Sequence, residues 1–324
     1  MELFDSLKQK INGQHKTIVF PEGADQRILG AASRLVKDGL IQAIVLGSPT
    51  EIDKTAQAHN IDTSQLTLLD PANLPADQAK AMLDALVVRR KGKNTPEQAQ
   101  EMLKDPNYVG TMMVYMGQAD GMVSGAIHAT GDTVRPALQI IKTKEGVRRI
   151  SGAFIMQKGD QRVVFADCAI NIELDAAGMA EVAVESAHTA KVFDIDPKVA
   201  LLSFSTKGSA KGDMVTKVQE ATKLAHEAAP DLALDGELQF DAAMVPDVAA
   251  LKAPDSSVAG HANVFVFPEL QSGNIGYKIA QRFGGFEAIG PILQGLNKPV
   301  SDLSRGCNEE DVYKVAIITA AQAL

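Results

Sequence analysis

The chain has 324 residues, long enough for one large α/β domain or two medium ones, and two fits better because single cores rarely grow beyond roughly 250 to 300 residues. Hydrophobic residues make up 45% and charged residues 22%, which provides apolar side chains for closed cores and excludes extensive disorder. A formal net charge of −8 argues against nucleic acid as a partner, since binding a phosphate backbone normally demands a basic face.

Residues 2–11 read as a short amphipathic helix, without the apolar core of a signal peptide. Thr17-Ile18-Val19-Phe20 is a β-branched strand closed by Pro21-Glu22-Gly23, and Asp25 is a cap for a helix over Ile28–Lys37. Ala43–Gly47 gives the next buried strand and completes a βαβ unit, which implies parallel pairing. Residues 76–104 look helical, Gly121–Val123 is a short strand, and Val134–Lys142 restarts a helix.

Ala153–Met156 and Arg162–Phe165, separated by Lys158-Gly159-Asp160, give a hairpin signal. A long Ala-rich helix (176–192), the strand Val199–Ser203, a helix (214–228) and the strand Asn263–Phe267 restore α/β order. The final helix, Glu309–Leu324, packs on a lobe that periodicity does not identify. No apolar stretch approaches membrane-spanning length. The two cysteines, Cys168 and Cys307, resemble neither a metal pair nor a redox pair, so a reducing cytoplasm and an unprocessed chain are expected.

No two glycines lie two positions apart, which excludes the G-x-G-x-x-G dinucleotide fingerprint, and no glycine pair of P-loop spacing is followed by Lys. The six histidines form no H-E-x-x-H and no evident cage, so no catalytic metal is expected. The first chemical candidate is Ser124–Pro136, a small, hydroxyl-rich turn leading from a strand into a helix. Its Ser124, Thr130, backbone N–H groups and Arg135 could cradle an oxyanion, although a capped βα turn accounts for the composition equally well.

The second is Asp302–Val312, with Ser304 and Arg305 in a loop before Asp311. It reads as catalytic only if these face one site; otherwise Asn308 caps a helix whose first turn carries three acids, as the macrodipole favours. Third come Ser203–Gly212 and Pro268–Lys278, polar loops after strands, the latter offering Asn274, Tyr277 and Lys278 for substrate. Arg89-Arg90-Lys91-Gly92-Lys93 is a basic run that alone would be a solvated face.

Asp120–Gly125, Asp132–Gln139, Ser205–Lys211, Asp235–Ala243 and Asp302–Cys307 together resemble the phosphate acetyltransferase (phosphotransacetylase) family, essentially end to end. The resemblance implies two α/β domains with a cleft between them, as in isocitrate and isopropylmalate dehydrogenases, usually as a homodimer. The first domain would take residues 1–140 and 300–324, the second 141–299, bringing the Ser304 loop alongside Ser124–Arg135.

The resemblance further implies Asp311 as base, Ser304 and Arg305 for oxyanion and phosphate, and Arg89 and Arg135 in the same site. Coenzyme A and acetyl phosphate would be substrates, with no tightly bound cofactor. Phosphate butyryltransferase is the nearest rival, differing only in the acyl pocket, and a dehydrogenase of the shared fold is the more distant one.

Overall fold

The computed structural model describes residues 3–324. Met1 and Glu2 lie outside the described residues, and with them the first position of the expected N-terminal helix. Two compact units are present, one running up to Thr143 and resuming over Leu296–Leu324, the other over Lys144–Gly295.

In the first unit, α1 (Leu3–Ile11), β1 (Thr17–Phe20), α2 (Gln26–Lys37), β2 (Gln42–Leu46), α3 (Pro49–His59) and β3 (Thr67–Leu69) are followed by α4 (Ala76–Arg90), α5 (Pro96–Met102), α6 (Pro106–Tyr115), β4 (Gly121–Ser124) and α7 (Thr130–Pro136). The second holds β5 (Ser151–Lys158), β6 (Gln161–Ala166), α8 (Ala176–Val192), β7 (Val199–Leu202), α9 (Asp213–Ala228), β8 (Leu234–Leu238), α10 (Phe240–Met244), α11 (Pro246–Lys252), β9 (Val264–Val266), α12 (Leu270–Arg282) and β10 (Glu287–Gln294). The chain then returns to the first unit with β11 (Val300–Asp302) and α13 (Glu309–Gln322).

The first sheet has the order β11-β4-β1-β2-β3, and every pair is parallel. Strands β1 and β4 are buried on both faces, so they read as nearly continuous apolar runs rather than alternating ones. The second sheet has the order β10-β5-β6-β9-β7-β8, with the β5–β6 hairpin antiparallel and β6, β9, β7 and β8 parallel. Helix α2 buries Ile28, Leu29 and Leu35 completely, each worth about 1.5–3 kcal/mol. Asp25 caps it by accepting from the Arg27 N–H, as its sequence position predicts. The last helix, α13, belongs to the first unit, where it packs on α1, α2 and β4.

Three expectations need correction. The single helix over 76–104 is two, because Lys91 and Gly92 turn left-handed (φ 50° and 78°) and Thr95 then opens α5 with a capping box ahead of Pro96. The helix expected over Val134–Lys142 begins earlier, at Thr130, and widens into a π-helical turn over Ala137–Ile141, just after Pro136, which has no N–H to donate. The polar segment Pro268–Lys278 is not a loop: Glu269 accepts from the N–H groups of Gln271 and Ser272 and starts α12 at Leu270.

Gly125, just past β4, sets a tight constraint. It has φ +109°, and a methyl group there would lie 2.5 Å from Asp302 Oδ1 and 2.7 Å from the backbone N and O of Leu303. Gly125→Ala should therefore lose about 2–3 kcal/mol of stability. Urea unfolding measures this, and an unchanged midpoint would contradict the close approach of β4 and β11.

Candidate active site

Strands β11, β4 and β1 are neighbours in a parallel sheet, so the segments leaving their carboxyl ends gather at one edge, where ligands of α/β folds collect. From β1 come Glu22 and Asp25, from β4 the turn 125–129 leading into α7, and from β11 the loop 303–308 leading into α13.

Glu22 organises the turn. Its side chain is fully buried, and its two oxygens accept the consecutive backbone N–H groups of Gly125 (3.1 Å), Ala126 (2.9 Å), Ile127 (2.9 Å) and His128 (3.0 Å). The imidazole Nδ1 of His128 lies 2.7 Å from the same carboxylate. The expected oxyanion cradle is thus already filled from within, and its amides are not free for a ligand. Ser124 also leaves the set of phosphate contacts: it is completely buried and donates its hydroxyl to Asn107 Oδ1 at 2.7 Å.

Other candidates stay accessible. Thr130 opens α7 and is exposed, as is Arg135, whose only ion pair among the described residues is a loose one with Asp132 at 3.9 Å. Ser304 and Arg305 are exposed in the neighbouring loop. The Ser304 Oγ accepts from the Gly306 N–H at 3.2 Å, which leaves its own proton to donate. The Arg305 guanidinium makes no ion pair or side-chain hydrogen bond among the described residues.

Asp311 does what a capped helix start requires: its carboxylate accepts from the Asn308 N–H, and its N–H donates to Asn308 Oδ1, both at 2.9 Å. It remains exposed, with one oxygen outside the capping box. Arg89 sits farther along the chain path. Its guanidinium donates to the carbonyls of Ile140 (2.6 Å) and Ile141 (3.0 Å) and stacks on Tyr115, so it anchors the π-helical turn after α7. Its charge still acts outward, since Arg89, with burial and then Lys91, Lys93 and Arg90, holds Lys142 below its ordinary pKa. Lys142 thus lies close enough to the basic run to feel its charge.

Asp302 is a further acid at this edge, for which no sequence motif predicts a role. It ends β11 opposite Ser124 in the register, it is 6% exposed, and its Oδ1 has no hydrogen-bond partner among the described residues. Burial pushes its carboxyl up to about 6; the hydroxyls of Thr130 and Thr133 offset part of the rise, and the charge of Glu22 adds to it. Cys307 is a buried thiol that burial pushes up despite Arg27 beside it, and burial does the same more strongly at Cys168. Neither is prepared as a nucleophile.

In the second unit the segment 203–212 is held internally. Glu237 accepts the Ser205 hydroxyl (2.9 Å) and the Gly208 N–H (2.7 Å), and Lys207 pairs with Asp235. On α12, Asn274 donates to the Cys168 carbonyl and accepts from Lys278, while Tyr277 stacks on Phe154 with ring centroids 4.2 Å apart. All three residues expected to touch substrate thus have structural partners.

The family model described as Phosphate acetyl/butaryl transferase matches residues 2–320. The chain is 60% identical to a phosphate acetyltransferase from Bacillus subtilis (strain 168) over 323 residues, covering 100% of this chain and 99% of that protein. A phosphotransacetylase from Streptococcus pyogenes superposes with a TM-score of 0.97 at 61% identity, covering 99% of this chain and 98% of that one. A putative 4-hydroxythreonine-4-phosphate dehydrogenase from Salmonella typhimurium shares the fold alone, with a TM-score of 0.56 at 14% identity over 95% of this chain and 99% of that one.

The raised carboxyl of Asp302 makes a pH prediction. A folded pKa above the unfolded value of 3.8 means that the native state binds the extra proton, so this contribution is present below about 3.8 and is lost as pH rises through about 6. Asp302→Asn should remove the decline, shifting the difference in unfolding free energy between variant and parent by about 2 kcal/mol in the variant's favour from pH 4.5 to 7.5. Urea unfolding at both pH values tests it; parallel behaviour would mean that Asp302 is not the group responsible.

Proposed function

The chain belongs to the Phosphate acetyl/butaryl transferase family, and from that premise we propose how it works: the thiol of coenzyme A attacks the carbonyl carbon of acetyl phosphate directly, in a ternary complex, and inorganic phosphate leaves. It is an acyltransferase acting between acetyl phosphate and coenzyme A, and the observation that carries acetyl over butyryl is 60% identity, over the whole chain, to a phosphate acetyltransferase. A dehydrogenase reading has only a fold-level likeness behind it.

In this reading Ser304, its Oγ oriented by the Gly306 N–H, donates to the carbonyl oxygen as that oxygen gains charge. Arg305 and Arg135, which have few internal partners, take the phosphate oxygens with the Thr130 hydroxyl. Arg89 supports the turn after α7, and the patch it forms with Arg90, Lys91, Lys93 and Lys142 suits the phosphates of coenzyme A. A homodimer is carried over from the family resemblance, and a cytoplasmic location from the two cysteines, which resemble neither a metal pair nor a redox pair. Among the described residues, no helix is long and apolar enough to cross a membrane.

Asp311 is the proposed base. An ordinary aspartate near 3.9 facing a thiol near 8.5 makes complete proton transfer uphill by about 4.6 units, or roughly 6 kcal/mol. Burial is not open to an exposed side chain, so the proton moves as the sulfur–carbon bond forms, and Arg305 stabilises the sulfur charge. No free thiolate accumulates. The proton taken from sulfur then passes to the departing phosphate or to solvent.

Asp311→Asn should lower turnover by at least about 100-fold, within the range for positioned acid–base groups; near-normal turnover with coenzyme A would remove Asp311 from this role. Arg135→Ala should raise the Michaelis constant for acetyl phosphate about tenfold, and an unchanged value would take Arg135 out of the phosphate site. Direct transfer predicts that acid quenching during turnover traps no radiolabelled acetyl on the protein. A side-by-side assay of acetyl and butyryl phosphate should favour acetyl.

A further inference from the structure

Arg27, the second residue of α2, donates every N–H of its guanidinium. Nε bonds Asp25 Oδ1 (3.0 Å), one terminal nitrogen bonds Asp25 Oδ2 and the Ala126 carbonyl (both 2.8 Å), and the other bonds the carbonyls of Arg305 and Cys307 (both 2.9 Å). The side chain is 22% exposed, and its anchor Asp25 is 13% exposed. Asp25 is itself fixed as the cap of α2, a helix rooted by buried Ile28 and Leu29. One planar group thus joins three segments that sequence separates by about 100 and 280 positions: the start of α2, the turn after β4 and the loop after β11.

The loop depends on that group. Leu303 is pinned to Ser124 O, and Asn308 is pinned by the capping box, but between them lie the exposed residues Ser304, Arg305 and Gly306. Among the described residues, Arg27 is the only side chain from outside this loop and the helix α13 it leads into that bonds to the loop. It takes the carbonyl of Arg305 and the one two residues on, and it ties both to Ala126, whose own N–H is held by Glu22. A lysine could keep the charge but could not span two elements and a carboxylate with one ammonium.

We infer that Arg27 is a positioning residue for acetyl transfer, setting the Ser304-Arg305 loop against the turn that leads to Thr130 and Arg135. The inference rests on the assignment of Ser304 and Arg305 to the reacting centre. Arg27 touches neither substrate; it fixes the backbone from which the oxyanion donor and the phosphate ligand project. Displacing such groups by about 1 Å can cost on the order of 100-fold in rate while binding persists.

The test is steady-state kinetics on Arg27→Lys, Ser304→Ala, Arg305→Lys and the double variant Arg27→Lys/Ser304→Ala, with thermal unfolding of each. Arg27→Lys should lose about 10- to 100-fold in kcat, with Michaelis constants for both substrates within about threefold of the parent. In the Ser304→Ala background the same change should cost clearly less than in the parent, because one of the two groups it positions is already gone. Full kcat in Arg27→Lys, with Ser304→Ala impaired, overturns the inference alone.

Losses that multiply in the double variant, or that track a fall in folded fraction, indicate a merely structural role and also overturn it. Wild-type turnover in both Ser304→Ala and Arg305→Lys would instead remove the site assignment, and this inference with it. If Arg27→Lys does not fold, Asp25→Asn, which loosens the guanidinium from behind, is read by the same criteria.

Discussion

One buried carboxylate sets the shape of this sheet edge. Glu22 accepts four consecutive backbone amides and lies against His128, all on oxygens without solvent. Burying a charge costs several kcal/mol, which only a nearly complete set of donors offsets, and hydrogen bonds to charged acceptors are worth about 1.5–3 kcal/mol each. The turn is therefore locked by an internal anion where glycine-bearing turns elsewhere lock onto a phosphate. In the proposed site a phosphate would meet side chains instead, and the exposed ones on these segments include Thr130, Arg135 and Arg305.

The cations are distributed to match. Arg27, Arg89 and Arg34 are committed to holding backbone or acidic groups: Arg27 the two loops, Arg89 the turn after α7, and Arg34 the first acids of α13 through Glu309 and Glu310. Arg135 and Arg305 are largely uncommitted. In a chain of net charge −8, local surplus rather than total charge must attract an anion. That surplus arises where structural arginines absorb nearby acids and carbonyls, leaving other arginines free.

Much of the scaffold could be read in the chain, because buried parallel strands and Ala-rich helices carry strong local signals. Thr17–Phe20 and the helix over Ala176–Val192 fall at the positions their patterns predict. What local pattern did not carry were features made by distant partners. The saturation of the 125–128 amides by Glu22 depends on a carboxylate whose targets are invisible in a window of neighbours. Glu22 and Asp302 did have a shared signal: an acid at the carboxyl end of a buried apolar strand has no solvent to answer it and must find donors or gain a proton. Arg27 had none, since its partners other than Asp25 lie about 100 and 280 residues away.

The two aspartates of the β11–α13 segment divide two properties that a strong base would combine. Burial pushes the Asp302 carboxyl up to about 6, but the same burial leaves it only 6% exposed. Asp311 has access, yet it keeps one oxygen in a capping box and lies on the surface. Full deprotonation of the thiol before attack would require both properties in one residue. In the proposed mechanism their separation favours a path in which proton transfer and carbon–sulfur bond formation advance together, each lowering the cost of the other. On that proposed path, turnover would depend less on the strength of the base than on how firmly the loop between Leu303 and Asn308 is held.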